Sequence, residues 1–351
     1  MRTLLLLLLA GLFLVCPCLA DELTDAMPES AKEILGSDAP DADGLKELGD
    51  KLLSAFEAEL GHGIGGAVRR AVSLVALTLI FSVLDIFGTD GSPQFLRLCS
   101  CGAVALVCIG DVGSFIRLGG DTLGSIADFS NVLLPALCTA GAVCGTPAAA
   151  AAKYAASALF MDILVNVSAR VILPLVYAYT ALVTAVAAFP NKLLEAAASL
   201  GKWLCKTLLT VLCLAFSLFI TLSSAVSTAA DAAAAKLTKT AMSLSMPLVG
   251  GMISDAASAV VAGAALVRNV SGVFGMLVVL AVCLAPFVTL GLNCLAFKAA
   301  SAVTAAIAPN DAGRLLSGYA DALGLLLALV GSGGVMMFIS VISCVRAVSG
   351  L

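Results

Sequence analysis

Residues 231–268 read DAAAAKLTKTAMSLSMPLVGGMISDAASAVVAGAALVR and lie between two long runs that contain no charged residue. In the first half, apolar side chains recur at intervals of three and four residues: Leu237, Ala241, Leu244 and Leu248. In the second half, the corresponding set is Ile253, Ala257, Val260, Ala264 and Val267. Such spacing gives a helix one apolar face. The first half therefore predicts an interfacial helix that does not span the membrane, and the second half predicts another amphipathic helix.

A break is expected between these two helices. Pro247 lacks a backbone N–H donor, and Gly250 and Gly251 free the backbone for a sharp turn. Ser254 and Asp255 are typical first residues of a new helix. The stretch thus predicts a broken amphipathic hairpin lined with small residues, which other helices must cover unless it lies at the interface. The alternative is an ordinary amphipathic connecting loop.

The composition predicts a membrane protein. Hydrophobic residues make up 61% of the 351-residue chain and charged residues 12%, whereas about a quarter of the residues of a soluble domain are charged. We therefore expect an all-α fold, a polytopic membrane helical bundle that includes the broken hairpin. Ten of the twelve cysteines fall at or within apolar runs after the leader, so they are interpreted as small apolar residues and not as a disulfide framework.

The N-terminal part of the chain differs from the rest. Residues 1–20 combine Arg2, an apolar run and a final Ala20, which predicts a signal peptide, with an uncleaved anchor as the alternative. Residues 21–69 form an acidic exported segment, because twelve acidic residues lie between positions 21 and 60 against three lysines. This segment is either a contact surface for a neighbour or a solvated tether.

Residues 70–351 predict a membrane domain of about seven spans. Each span is an apolar run close to the roughly 20 residues that cross a bilayer; the runs are 71–87, 98–116, 129–152, 171–190, 207–230, 270–297 and 322–345. Residues 153–170 are apolar but interrupted by charges, so this stretch is either re-entrant or fused to the following span. An external N-terminus and seven spans would place the hairpin on the cytoplasmic side, and an eighth crossing would reverse that orientation.

One polar stripe stands out among the apolar runs. Asp162, Asn166 and Arg170 follow one another at intervals of four residues, which places them on one face of a helix. A charge at bilayer depth costs about 2.5–3.5 kcal/mol, so such residues usually face partners or water. The stripe therefore predicts either the lining of a conduit or an interfacial segment whose charges reach water.

The sequence predicts no enzyme. It contains no GxxxxGK[ST] and no HExxH motif, and His62 is the single histidine. Basic residues are scattered singly, so no nucleic-acid partner is expected. Accordingly, we predict no catalytic residue, no cofactor and no metal site.

Four stretches carry a resemblance to a known family: LLPALCTAGAVCGTPAAA at 133–150, SMPLVGGMISDA at 245–256, LVRNVSGVFG at 266–275 and GSGGVMMFISV at 331–341. Together with the leader, the acidic segment and the repeated spans, they make the chain resemble stage III sporulation protein AE of endospore-forming bacteria. The most specific part holds the residues of the hairpin and its flank: Pro247, Gly250, Gly251, Ser254, Asp255, Asn269 and Gly272.

The resemblance implies a multi-pass protein of the mother-cell membrane that faces the forespore. It implies partnership with the other stage III A sporulation proteins and with a forespore-side channel partner. The implied function is that of an integral component of the channel between mother cell and forespore, a secretion-like export apparatus energised by a separate ATPase. The alternative is a free-standing secondary transporter of a small solute, and a membrane enzyme is a third hypothesis.

Overall fold

The computed structural model describes residues 25–36, 44–87, 93–143, 147–245, 250–307 and 311–346. It describes the backbone alone over 223–232, 234–245 and 250–269 and at several helix ends, 44–46, 84–87, 93–97, 140–143, 147, 149, 307, 311 and 346. The helices are α1 Glu29–Leu35, α2 Gly44–Phe87, α3 Pro93–Val143, α4 Pro147–Val167, α5 Leu173–Ala188, α6 Lys192–Ser245, α7 Gly250–Ile307 and α8 Asp311–Arg346. A π-helical turn, Ser168–Ile172, joins α4 to α5 without interruption. The described residues contain no strand, which confirms the all-α bundle.

The helices are long for a membrane protein. α3 has 51 residues, α6 has 54 and α7 has 58. At 1.5 Å per residue, α7 is about 87 Å long, whereas the hydrocarbon core of a bilayer is about 30 Å thick. Neither Pro135 nor Pro286 ends its helix. A large part of each long helix must therefore lie outside the hydrocarbon region.

The described residues contain six helices that are long and apolar enough to cross a membrane, where the sequence predicts about seven. They are Glu47–Val83, Leu98–Thr139, Ala150–Ala188, Lys192–Leu222, Val270–Ala306 and Ala312–Val345. The predicted span 98–116 continues in α3 into the next predicted span, 129–152, whose remainder lies in α4. By sequence these runs are predicted as two separate spans, but the charged residues between them do not interrupt the helix. The stretch 153–170 is fused to the following span, one of the two alternatives.

The acidic segment does not end at a structural boundary. α2 runs without a break across residues 69 and 70. Gly63 in the GHGIGG stretch remains helical, and a Cβ at that position would lie 2.7 Å from Leu292 of α7. α1 packs on α7 and α2 through three buried side chains, Met27, Ala31 and Leu35. The described part of the N-terminal segment thus contacts its own bundle, while the predicted signal peptide lies outside the described residues.

α8 is the central helix. It packs against α3, α4, α5, α6 and α7. In its most apolar stretch of 18 residues, 61% of the residues are buried inside the bundle. Its fully buried side chains include Leu323, Leu326, Leu329 and Val330. α7 and α8 pair as an antiparallel hairpin, because Ser301 bonds to Gly313 near the turn and Gly272 packs on Val345 at the far end.

Glycines let the other helices approach α8 closely. A Cβ on Gly318 would lie 2.2 Å from Val183 of α5, and a Cβ on Gly333 would lie 2.6 Å from Leu123 of α3. Gly334 stands 3.3 Å from Cys283 of α7 by the same measure. The GSGG stretch at 331–334 therefore permits close helix packing, as small residues do in membrane helices.

The predicted hairpin is not a separate element. Its first half is the end of α6, which is helical to Ser245, and its second half is the beginning of α7, which starts at Gly250. Pro247 lies outside the described residues. α7 begins at Gly250, four residues before the predicted helix start at Ser254 and Asp255, because Gly250 and Gly251 already form its first turn. Asn269 lies within α7, and Gly272 is buried against α8.

The glycine contacts of α8 yield a prediction. Gly318→Ala should lower the free energy of unfolding by about 1–3 kcal/mol, because the added methyl overlaps Val183. Gly324→Ala is the matched control in the same helix: its Cβ would lie 3.9 Å from Cys294, so the change should be neutral or stabilising by up to about 1 kcal/mol. Thermal unfolding in detergent, monitored by the reaction of a thiol dye with the buried cysteines, measures the stability of both variants. Equal midpoints for the two variants would contradict the packing argument.

Candidate functional site

A charged cluster links three helices near the start of α8. Asp321 of α8 pairs with Lys202 of α6, and its other carboxylate oxygen lies 3.9 Å from Lys298 of α7. The Asp321 side chain is 25% exposed and that of Lys202 is 30% exposed. Such a half-buried ion pair holds the two helices in one register, since each charge would lose its partner if the helices slid.

A second polar cluster lies at the same level on the other side of α7. Arg70 of α2 donates from Nη1 to Asn293 Oδ1 at 2.6 Å, and its Nε lies 3.6 Å from Asp111 of α3. The guanidinium also stands 5.4 Å from the centre of the Phe115 ring, within cation–π distance. Because Asn293 and Lys298 are five residues apart in α7, the two clusters lie within about 8 Å of each other along that helix.

An open cavity of about 340 Å³ adjoins the Asp321 cluster, between α5, α6 and α8. Its lining includes Tyr179, Val183, Glu195, Arg314 and Asp321. Arg314 Nη2 donates to Glu195 Oε1 at 2.5 Å. The volume is within the range of small-molecule sites, and the lining offers charges of both signs. One signal for this site is visible in the sequence: Asp321 directly precedes the last apolar run, 322–345.

Lys153 has a structural role that the sequence did not indicate. Its side chain is 2% exposed, and Nζ donates to the carbonyl oxygen of Ser343 in the last turn of α8. The last four carbonyls of a helix have no partner within the helix and carry its partial negative charge. Lys153 therefore caps the C-terminus of the central helix from the beginning of α4.

The predicted polar stripe lies on the outside of the bundle. Asp162 and Arg170 are exposed, and Asn166 is half-buried. Asn166 Nδ2 donates to Asp162 Oδ1 at 3.0 Å and to the Asp162 carbonyl at 2.9 Å. Leu164, on the opposite face, is buried next to Gly333 in the middle of α8. Any pathway lined by this stripe would run between this chain and a neighbour.

These features define a class: a polytopic helical membrane protein with a leucine-rich, glycine-packed centre and polar groups on its outer surface. The chain belongs to the stage III sporulation protein AE family, whose family model matches residues 40–348. It is therefore a stage III sporulation protein with membrane helices. No significant match to a curated protein or to a solved structure was found.

The Asp321 cluster yields a prediction. Asp321→Asn and Lys202→Met should each lower the free energy of unfolding by about 1–3 kcal/mol, because each breaks the half-buried ion pair. In the Lys202 variant Asp321 keeps only the longer contact with Lys298. The double variant should cost less than the sum of the two single changes. Arg314→Gln is the control, since it breaks a more exposed pair with Glu195 and should cost about 0–1 kcal/mol. Thermal unfolding in detergent measures all four; strictly additive costs would show that the pair contributes nothing.

Proposed function

We propose that this protein is an integral membrane subunit of the channel between mother cell and forespore. It assembles with the other stage III A sporulation proteins and with a forespore-side partner, in the mother-cell membrane that faces the forespore. Within that assembly it serves as a subunit of a secretion-like export apparatus. Its membership of the stage III sporulation protein AE family and its six apolar helices support this proposal.

The observation that carries the proposal is the height of the exposed apolar surface. On α7 exposed apolar side chains run from Val273 to Val303, and on α6 they run from Leu193 to Leu222. Each run covers about 45 Å at 1.5 Å per residue, about half as much again as the hydrocarbon core. Apolar surface beyond the hydrocarbon would face water in an isolated subunit, so other proteins must cover it.

The position of α2 increases this height. Thr78 of α2 bonds to Thr304 of α7 at 3.2 Å, so α2 continues past the end of the exposed run on α7. Its own exposed apolar side chains reach Val83. The apolar surface of the bundle is therefore taller than any single helix suggests, which favours an assembled subunit over a protein surrounded by lipid alone.

The outward stripe supports the same proposal. A charge that faces lipid at bilayer depth costs about 2.5–3.5 kcal/mol, and Asp162 and Arg170 are both exposed beside the uncharged part of α8. A neighbouring subunit that met this face would complete a polar pathway between the two proteins. In this proposal the chain performs no catalysis, and a separate ATPase supplies the energy.

The cavity beside Asp321 favours a second hypothesis, a secondary transporter of a small solute. Affinity purification from sporulating cells in mild detergent distinguishes the two. We expect several other envelope proteins to co-purify in constant ratio with this chain. An isolated chain whose thermal unfolding midpoint rises with one small solute would instead support the transporter and contradict the channel subunit.

The stripe yields a prediction for cells. Asp162→Asn should lower spore yield by about ten-fold, the effect of losing about 1.4 kcal/mol at one step, while the protein level stays normal. Glu57→Gln is the matched control, because it also neutralises an exposed acid but lies on α2, away from the stripe. Heat-resistant colony counts measure spore yield. Normal yield in the Asp162 variant would remove the stripe from any transport pathway.

A further inference from the structure

One face of α3 is not covered by any other side chain that the structure describes. Its residues recur at helical spacing and are named here the α3 seam: Leu106, Ile109, Gly110, Gly113, Ser114, Arg117 and Asp121. Leu106 is 79% exposed, the most exposed large apolar side chain among the described residues. A Cβ on Gly110 or on Gly113 would meet none of the described atoms within 4 Å. The part of the seam from Ile109 to Asp121 lines an open depression of about 510 Å³.

The charged half of the seam lies beside the uncharged part of α8. A Cβ on Gly119 would lie 3.6 Å from Leu326, and Leu123 packs on Gly333. Residues 322–345 of α8 contain no charged residue and cover about 36 Å, close to the thickness of the hydrocarbon core. Lipid is therefore an unfavourable neighbour for Arg117 and Asp121, since a charge costs up to about 2.5–3.5 kcal/mol at the bilayer centre.

Within the described part of the chain, no side chain neutralises these two charges. Arg117 and Asp121 are both exposed, and neither lies within 4.0 Å of an opposite charge among the side chains that the structure describes. By contrast, Asp111, which lies six residues before Arg117 on α3, pairs with Arg70 of α2. The uncovered seam thus combines an apolar end, a small-residue middle and a pair of opposite charges.

We propose that the α3 seam binds the α3 seam of a second copy of this protein. In a two-fold dimer with its axis along the membrane normal, the two α3 helices run parallel, and Arg117 of each copy meets Asp121 of the other. The pattern is self-complementary, because one face carries both signs four residues apart, and an isologous contact needs such a face. Gly110 and Ser114 let the two backbones approach, as small residues do in membrane dimers.

This inference rests on the proposed function, because it adds a self-contact to a subunit of a larger assembly. A partner of another kind would need its own matched pair of charges at the same depth, whereas a second copy brings that pair by symmetry. The contact also covers Leu106 and Ile109, which belong to the apolar surface that extends beyond the uncharged part of α8.

Charge reversal in two differently tagged copies tests the contact. Arg117→Asp gives a copy with two acids on the seam, and Asp121→Arg gives a copy with two bases. Each variant alone should lose self-association by about ten-fold or more, since like charges face each other across the seam. The two variants expressed together should pair, because every contact between copies is then attractive. An ion pair within one copy predicts no such recovery.

Disulfide cross-linking provides a second measurement on the full-length protein in its membrane. Ser114→Cys should form an intermolecular disulfide on mild oxidation. Leu214→Cys is the control, an exposed position on α6, and the unchanged chain, whose described cysteines are buried or half-buried, is the reference. The thermal unfolding midpoint of each charge variant in detergent shows whether a loss of pairing reflects unfolding, in which case the Ser114→Cys result decides.

The inference is overturned if Ser114→Cys cross-links no better than Leu214→Cys. It is also overturned if the two folded charge variants stay apart when they are expressed together. Should the chain co-purify with other envelope proteins while Ser114→Cys stays monomeric, the self-contact fails and the channel subunit stands. If the copies cross-link but no envelope protein co-purifies, the self-contact stands and the channel subunit fails.

Discussion

The close approach of α8 to its neighbours is the contact on which the whole bundle depends. Lipid tails are as apolar as leucine, so membrane helices associate through close packing and polar bonds, and not through the hydrophobic effect. Gly318 and Gly333 bring Val183 and Leu123 to within contact of the α8 backbone. With larger residues at these positions, α3 and α5 would have to lie farther from α8.

Polar contacts prevent one helix from sliding along another, a movement that apolar packing alone would allow. The Asp321 pair with Lys202 and the Arg70 bond to Asn293 tie five helices at one level. At the far end, Lys153 holds the last carbonyls of α8. Buried polar contacts add little net stability, but they specify one register. The central helix is thus held by polar contacts at Asp321 and at Ser343, and the contacts of Gly333 and Gly334 lie between them.

The outer surface of the bundle differs from its centre. It carries charges on α3 and α4, whereas the neighbouring part of α8 is uncharged. The apolar surface above and below them is taller than a bilayer core. Together these two properties suit a protein whose neighbours are other proteins. The family supports a place in sporulation, and the outer surface gives a physical reason why this chain would act as part of an assembly.

The sequence by itself determined the membrane class and the helical fold, because long apolar runs in lipid must satisfy every backbone hydrogen bond within the helix. Its motifs also determined the family. The apolar pattern of the sequence divided residues 98–116 and 129–152 into two runs, whereas the structure joins the first run to most of the second in α3, because the charged residues between them do not interrupt a helix. Periodicity placed Asp162, Asn166 and Arg170 on one face, but a period does not say which neighbours that face meets. Only the tertiary structure decided that the stripe points outward and that Asp321 finds Lys202, because both depend on contacts between residues far apart in the chain.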